Sequence, residues 1–314
     1  MHYQNQRVAL IIPCFNEEAA IGAVIQGFRE AMQGLVIYVF DNNSTDNTAK
    51  VAKEVGATVI SVPLKGKGNV VRRMFADVEA DIYVMVDGDA TYDPNAIVPM
   101  INLLFEQRLD MVVGCRQVDL HLAGEAYRRG HQWGNRLLTQ GVMHIFGGSF
   151  TDMLSGYRVF TRRYVKSFPA LSAGFEIETE LTVHALELRM PFGEVITRYG
   201  ARPEGSVSKL STYADGWKIL KTIGRLFVSE RPFAFFSGAS IVLVILSFTL
   251  FFPILINYLE SGLVPRFPTL VISASLAICA LLSFACGLIL DNVTRGRHEA
   301  KRLAYLSIPP PEFM

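Results

Sequence analysis

An α/β domain with a mostly parallel sheet, followed by one amphipathic helix and two membrane-spanning helices, is the architecture this sequence predicts. Three observations carry it. Strand-like and helix-like runs alternate over residues 7–120. One apolar run, "YVMVDGDATYDP" (83–94), stops abruptly at Asp87 and Asp89 with only Gly88 between them. Two stretches, "FAFFSGASIVLVILSFTLFFPILI" (233–256) and "FPTLVISASLAICALLSFACGLIL" (267–290), hold no charge at all. Half of the 314 residues are hydrophobic and the formal net charge is only +1. The chain can therefore build a sizeable core, and it has no general field for nucleic acid.

The elements follow in order. "VALIIP" reads as a first strand and "NEEAAIGAVIQGFREAM" as a helix, with Ile21, Val24, Ile25, Phe28 and Met32 recurring at helical spacing and Asn16 available as its cap. "LVIYVFD" and "STDNTAKVAKEVG" repeat the pattern, with Gly56 where a left-handed cap is favoured. "ATVISV", a helix from about Gly68, "DIYVMVD", a helix from about Asn95 and "DMVVGC" complete the alternation, which predicts a parallel sheet covered by helices. On a helical wheel of residues 211–231, Lys218, Lys221 and Arg225 share one face and Ile219, Leu220, Ile223, Leu226 and Phe227 the other. Such a helix beside a membrane span lies in the interface. The two uncharged stretches exceed the roughly 20 residues that cross a bilayer core.

This divides the chain into a catalytic domain over 1–210, an interface helix over 211–231, two spans within 232–291 and a basic tail over 292–314. Lys218, Lys221, Arg225 and Arg231 precede the first span and Arg295, Arg297, Lys301 and Arg302 follow the second, so both termini and the catalytic domain are expected on the cytoplasmic side of an inner or plasma membrane. "MHYQNQ" has no apolar segment, so no secretory leader is expected. Cys14, Cys115, Cys279 and Cys286 have no metal-binding spacing, and no disulfide framework is expected.

In open sheets, ligands sit at the carboxyl ends of the strands. "PCFNEE", "DNNSTD" and "DGD" all fall there. Asp-Gly-Asp alone would make an ordinary turn, but two carboxylates at i and i+2 of an extended chain face one side, and Gly88 lets a ligand approach the backbone. Mg2+ or Mn2+ with a diphosphate suits such a tip. Asp41 can accept from a base N–H, with Asn16 and Glu17 near base or ribose.

These residues resemble the family-2 glycosyltransferases with the GT-A fold. "IIPCFNEE", "DNNSTDNT", "KGKGNVVRR" and "DGD" match its nucleotide-binding loops, its Gly-Lys-Gly element and its D-x-D motif. "DMLSGYRVFTRR", "GFEIETEL", "SVSKL" and the two spans look like its polyprenyl-phosphate branch, which includes dolichol-phosphate mannose synthases and bactoprenol glucosyltransferases. The resemblance implies inverting transfer of a sugar from a nucleotide sugar, UDP-linked, to undecaprenyl or dolichyl phosphate. Pro13, Asn16, Glu17 and Asp41 would bind the nucleoside, Lys67 and Gly88 would help seat the donor, and Asp87 and Asp89 would serve donor and metal. Asn42 and Asn43 depart from the aspartate and glycine often found there, and Thr91 stands where mannose synthases often carry a metal-binding glutamine, so the sugar stays open. Related enzymes include tetramers, and a homo-oligomer is expected.

A phosphate monoester is largely dianionic at neutral pH, with a second pKa of about 6, so the acceptor needs cations rather than a base. Arg116, Arg128, Arg129, Arg158, Arg202 and Lys209 lie between the D-x-D region and the spans. Arg116 ranks first, followed by Arg202 and Lys209, while Glu176, Glu178 and Glu180 line the sugar, orient those cations or stay solvated. A lipid alcohol such as diacylglycerol would instead need a base, Glu176 or Glu178. A catalytically silent nucleotide-sugar-binding scaffold is the third reading, opposed by the intact D-x-D and Lys67.

Overall fold

The computed structural model describes residues 6–118, 129–203 and 212–312, with backbone alone at 118, 129–137, 212–216 and 218. The chain divides into two compact units, Met1–Thr222 with Lys301–Met314, and Ile223–Ala300.

In the first unit the elements are β1 (Val8–Cys14), α1 (Glu18–Ala31), β2 (Val36–Asp41), α2 (Thr48–Glu54), β3 (Thr58–Ser61), α3 (Lys67–Asp77), β4 (Ile82–Met85), α4 (Ile97–Glu106), β5 (Met111–Val118), α5 (Arg129–Phe146), β6 (Arg158–Thr161), α6 (Arg162–Ser167), α7 (Ile177–Glu187) and β7 (Phe192–Tyr199). The sheet order is β3-β2-β1-β4-β6-β5-β7. β1 pairs parallel with β2 and β4, β2 with β3 and β5 with β7.

The expected parallel sheet has one exception among the described strands. β6 lies antiparallel between β4 and β5, with Arg158 opposite both Met85 and Val113. A strand that enters from the carboxyl edge brings the loop before it to that edge, so residues 152–157 arrive beside the end of β4. Central strands buried on both faces are apolar at every position. Leu10, Ile12 and Val84 accordingly join α1 and α4 on one side, while Ile11, Tyr83 and Met85 join α3 and α7 on the other.

Local signals worked unevenly. Ile21, Val24, Ile25, Phe28 and Met32 are all buried, and Gly56 is left-handed at φ 83° after α2. Asn16 does not cap α1. It takes φ 53°, and its Oδ1 accepts instead from the Thr45 N–H at 2.8 Å, because the neighbouring loop offers that donor.

α8 (Thr212–Glu230) precedes the second unit's long helices, α9 (Pro232–Ser261) and α10 (Phe267–Leu306), both long and apolar enough to cross a membrane. The apolar stripe of α8 divides: Ile219 and Ile223 are buried, whereas Leu220 and Trp217 are exposed. α9 and α10 meet along small residues at seven-residue steps, Ser240 and Ser247 on one, and Ser273, Ala280, Gly287 and Thr294 on the other. Their hydroxyls bond across the seam: Ser240 Oγ donates to the Ala280 carbonyl at 2.8 Å, Ser247 Oγ to that of Ser273 at 2.8 Å and Ser283 Oγ to that of Phe236 at 3.0 Å. Close backbone approach with hydroxyl bonds is how helices associate where lipid offers no hydrophobic drive.

The basic tail expected after the second span is a continuation of α10. Good helix formers and the Arg295–Asp291 pair, four residues apart at 2.8 Å, keep the helix running. Its last turns belong to the first unit, where Lys301 Nζ lies 2.8 Å from Glu187 and the Tyr305 hydroxyl donates to Asp110 at 2.7 Å.

Candidate functional site

The carboxyl ends of β1, β2, β4, β5 and β7 supply the site. At β2, Asp41 is buried, its Oδ2 accepts from the Ser44 N–H at 3.4 Å, and its Oδ1 has no hydrogen-bond partner. A buried acceptor without a donor is costly, and an N–H donor placed there would relieve that cost. Asn42, taken from sequence as a departure, fastens the next loop. Its Nδ2 donates to the carbonyls of Val62 and Leu64 at 3.0 and 2.7 Å, and its Oδ1 accepts from the Gly66 N–H at 2.7 Å. Beside it, the Glu17 N–H donates to Thr48 Oγ1 at 2.8 Å, and Pro13 pairs with Phe40 at the end of β1.

The Gly-Lys-Gly element opens α3 beneath the loop before α7. A Cβ on Gly66 would strike the Ala173 carbonyl and one on Gly68 that of Ser172, so only glycine lets that loop close over Lys67. Lys67 Nζ then lies 2.5 Å from Asp87 Oδ1 and 2.5 Å from Glu178 Oε1. Burial alone would lower the lysine pKa, but the two carboxylates outweigh it and raise it, so Lys67 is a fixed cation. Burial also raises the Glu178 pKa against the pull of Lys67.

β4 ends at Met85, and Gly88 and Asp89 form a turn, so the D-x-D carboxylates are not set by the extended-chain spacing expected from sequence. A Cβ at Gly88 would meet Cys14 Sγ at 2.5 Å, which is why the turn needs glycine. Ala90 follows at φ 58°, and Asp89 Oδ1 accepts from the Thr91 hydroxyl at 2.6 Å. Arg202, just past β7, reaches Asp89 Oδ2 at 2.7 Å and Glu17 at 3.9 Å. Each D-x-D aspartate thus has its own cation, backed by a second, buried carboxylate.

The 152–157 loop closes the far side. Gly156 donates its N–H to the Tyr92 hydroxyl at 2.9 Å, and a side chain there would collide with the Asp87 carboxylate. Arg116 Nε and Nη2 each contact Asp152 at 2.7 Å, and the guanidinium lies 5.6 Å from the centre of the Tyr199 ring. Asp152, Tyr92, Tyr199 and Gly156 were not singled out from sequence. Asp152 stood inside "DMLSGYR" and Tyr92 two residues past the turn, but nothing local tells which side chains a non-local loop will meet.

Of the other expected residues, Arg158 must be corrected. It is fully buried, with Nε donating to the Ser155 carbonyl at 3.0 Å and Nη2 to those of Met153 and Glu178, so it organises the loop and offers nothing to an acceptor. Glu176 Oε1 accepts from the Gly174 N–H at 3.2 Å, and Glu180 accepts from the Leu171 and Ser172 N–H groups at 2.8 and 2.7 Å, so both shape the loop over Lys67. Glu178 and Glu180 are buried rather than solvated. Arg128 and Lys209 lie outside the described residues, and Arg129 is placed by its backbone at the start of α5.

Residues 9–168 match the model of glycosyl transferase family 2. Glycosyltransferase AglJ of Haloferax volcanii is 34% identical over 74% of this chain and 75% of its own. The dolichyl-phosphate hexose transferase of the same organism is 25% identical over 73% of this chain and 97% of its own. Among solved structures, glucosyl-3-phosphoglycerate synthase from Mycobacterium tuberculosis, in complex with phosphoglyceric acid, aligns with TM-score 0.57 and 25% identity over 70% of this chain and 79% of its own. The same synthase with Mn2+, UDP-glucose and phosphoglyceric acid aligns with TM-score 0.54 and 22% identity over the same shares. The mostly parallel sheet with its carboxyl-edge site is the GT-A fold, and the chain belongs to glycosyl transferase family 2.

Proposed function

We propose that this glycosyltransferase moves a sugar, with inversion, from a UDP-linked donor to a polyprenyl phosphate at the cytoplasmic face of a membrane. The observation that carries this reading is a chain joining two kinds of feature. One is an acidic tip, Asp87 and Asp89, flanked by Lys67 and Arg202; the other is a pair of helices of bilayer length. The relative named as a dolichyl-phosphate hexose transferase supports the same acceptor class.

Asp87 and Asp89 offer only carboxylate oxygens, a donor set that fits Mg2+ or Mn2+ shared with a diphosphate. Such an ion, when bound, supplies charge neutralisation to the departing diphosphate. Lys67 and Arg202 hold the two carboxylates in place and add positive charge beside them. Asp41, with its unpartnered Oδ1, receives an N–H of the base, and Asn16 and Glu17 line the nucleoside. The acceptor phosphate oxygen forms its bond to the anomeric carbon as the bond from that carbon to the diphosphate breaks. No proton has to be removed from a dianionic phosphate. Of the two bases a lipid alcohol would call on, Glu178 is buried with Oε1 on Lys67 and Glu176 Oε1 accepts from the Gly174 N–H, whereas a phosphate acceptor calls on neither.

Arg116 is the acceptor-side cation, already aimed by Asp152. On α8, exposed Trp217 and Leu220 beside Lys221 suit a membrane interface, which would bring the lipid headgroup to the domain. The test is to incubate purified protein with a panel of nucleotide sugars, Mg2+ or Mn2+, and a short polyprenyl phosphate, and to identify the product by mass spectrometry. A sugar–lipid phosphodiester is expected. A glycosylated diacylglycerol, with polyprenyl phosphate untouched, would overturn the acceptor.

A further inference from the structure

We infer that Glu178 is a positioning residue that acts through Lys67, taking up part of the ammonium charge so that Asp87 remains an effective ligand for a divalent cation and diphosphate. The inference rests on the donor reading above and concerns a buried carboxylate one step behind Asp87, reached through Lys67.

Three observations lead to it. First, Lys67 sits between two carboxylates at equal distance, 2.5 Å each, yet the two differ in access: the Asp87 side chain is 29% exposed and that of Glu178 5%. With both carboxylates ionised the trio carries one net negative charge, and its Asp87 end is the more open to solvent. Second, Glu178 Oε2 is buried without a hydrogen-bond partner, which is costly for a carboxylate serving packing alone. Third, the chain has gone to some length to hold this arrangement. Gly66 and Gly68 admit the 172–173 backbone over Lys67, Glu180 ties that loop through two N–H groups, and buried Arg158 donates to the Glu178 carbonyl.

The physical role follows from charge. An ammonium facing Asp87 alone would cancel most of that carboxylate's attraction for a cation. Sharing the ammonium with Glu178 leaves negative charge at Asp87, while the hydrogen bond still fixes which oxygen faces inward. Asp87 Oδ1 is held by Lys67, and Gly156 leaves room for Oδ2 on the other side. Partners one step behind a metal ligand commonly alter affinity by about 10–100-fold.

The test measures Mn2+ binding to the full-length protein in nanodiscs with saturating UDP, by electron paramagnetic resonance of free Mn2+, and requires no turnover. Glu178→Gln keeps an acceptor for Lys67 and removes the charge; a roughly ten-fold loss of Mn2+ affinity is expected. In a Lys67→Met background the same substitution should have no further effect, because the residue through which it acts is gone. Should Glu178→Gln not fold, Glu178→Asp carries the test with a smaller loss in the same direction. Wild-type Mn2+ affinity in the folded Glu178 variant, or an equal ten-fold loss in the Lys67→Met background, overturns the inference. If the wild-type protein itself binds no Mn2+ with UDP, it is the donor reading that fails.

Discussion

The catalytic unit and the membrane hairpin bury opposite kinds of residue. Around the sheet the inaccessible positions include Leu10, Ile11, Ile12, Val84 and Phe160; along the α9–α10 seam they are Ser240, Ser247, Ser273, Ala280 and Gly287. Large apolar side chains such as Leu246, Phe248, Leu281 and Ile289 point outward there. In water, removing apolar area from solvent drives folding, so bulk goes inside. In lipid that drive is absent, and the interior belongs to whatever lets backbones approach and hydroxyls pair.

The sharpest break of this comparison is Phe160→Ala in the first unit. It should cost about 3–5 kcal/mol of stability through transfer and cavity terms, read as a lowered unfolding midpoint of the soluble domain signal. Asp89→Ala should do the converse at the polar edge. A loss of about 10²–10³-fold in kcat is expected, with the fold retained by circular dichroism, since its charged partner Arg202 keeps access to solvent. Full turnover of that variant in a chelator would remove the metal from the reading.

Smaller effects separate the acceptor side and the seam. Arg116→Ala should remove charge-assisted bonds worth about 1.5–3 kcal/mol, raising KM for polyprenyl phosphate by roughly one to two decades while UDP affinity by calorimetry stays level. A fall in UDP affinity with unchanged lipid dependence would place this arginine on the donor instead. Gly287→Leu overpacks a position where even a Cβ would come within 3.0 Å of Phe236 Cβ, at about 1–3 kcal/mol of hairpin stability in nanodiscs. Leu281→Ala, on the outward face, should change that stability by less than about 0.5 kcal/mol; a larger loss would mean that this face packs against protein.

Much of the fold was legible because its signals are local. Helical periodicity in 21–32 and the strand runs each report on their own few residues, and the uncharged length of 233–256 and 267–290 needs no neighbour to be read. The loops gathered at the carboxyl edge were legible for the same reason, since "PCFNEE", "DNNSTD" and "DGD" each close a strand-like run. The roles of the arginines were not. Arg116, Arg158 and Arg202 look alike in sequence, but one is bidentate to Asp152, one is sealed among carbonyls and one bridges Asp89 toward Glu17.

The sequence by itself determined the strand–helix alternation, the two bilayer-length helices and the carboxylates at the strand ends, because periodicity, composition and turn chemistry act over a few residues. Only the tertiary structure decided that β6 would enter antiparallel between β4 and β5, and so bring Asp152 and Gly156 to the edge where Asp87 lies. It also decided that Lys67 would be shared by Asp87 and Glu178, residues 20 and 111 positions beyond it in the chain. Charge pairing of that kind depends on which backbones close over one another, and that is settled by packing the whole sheet rather than by any segment of it.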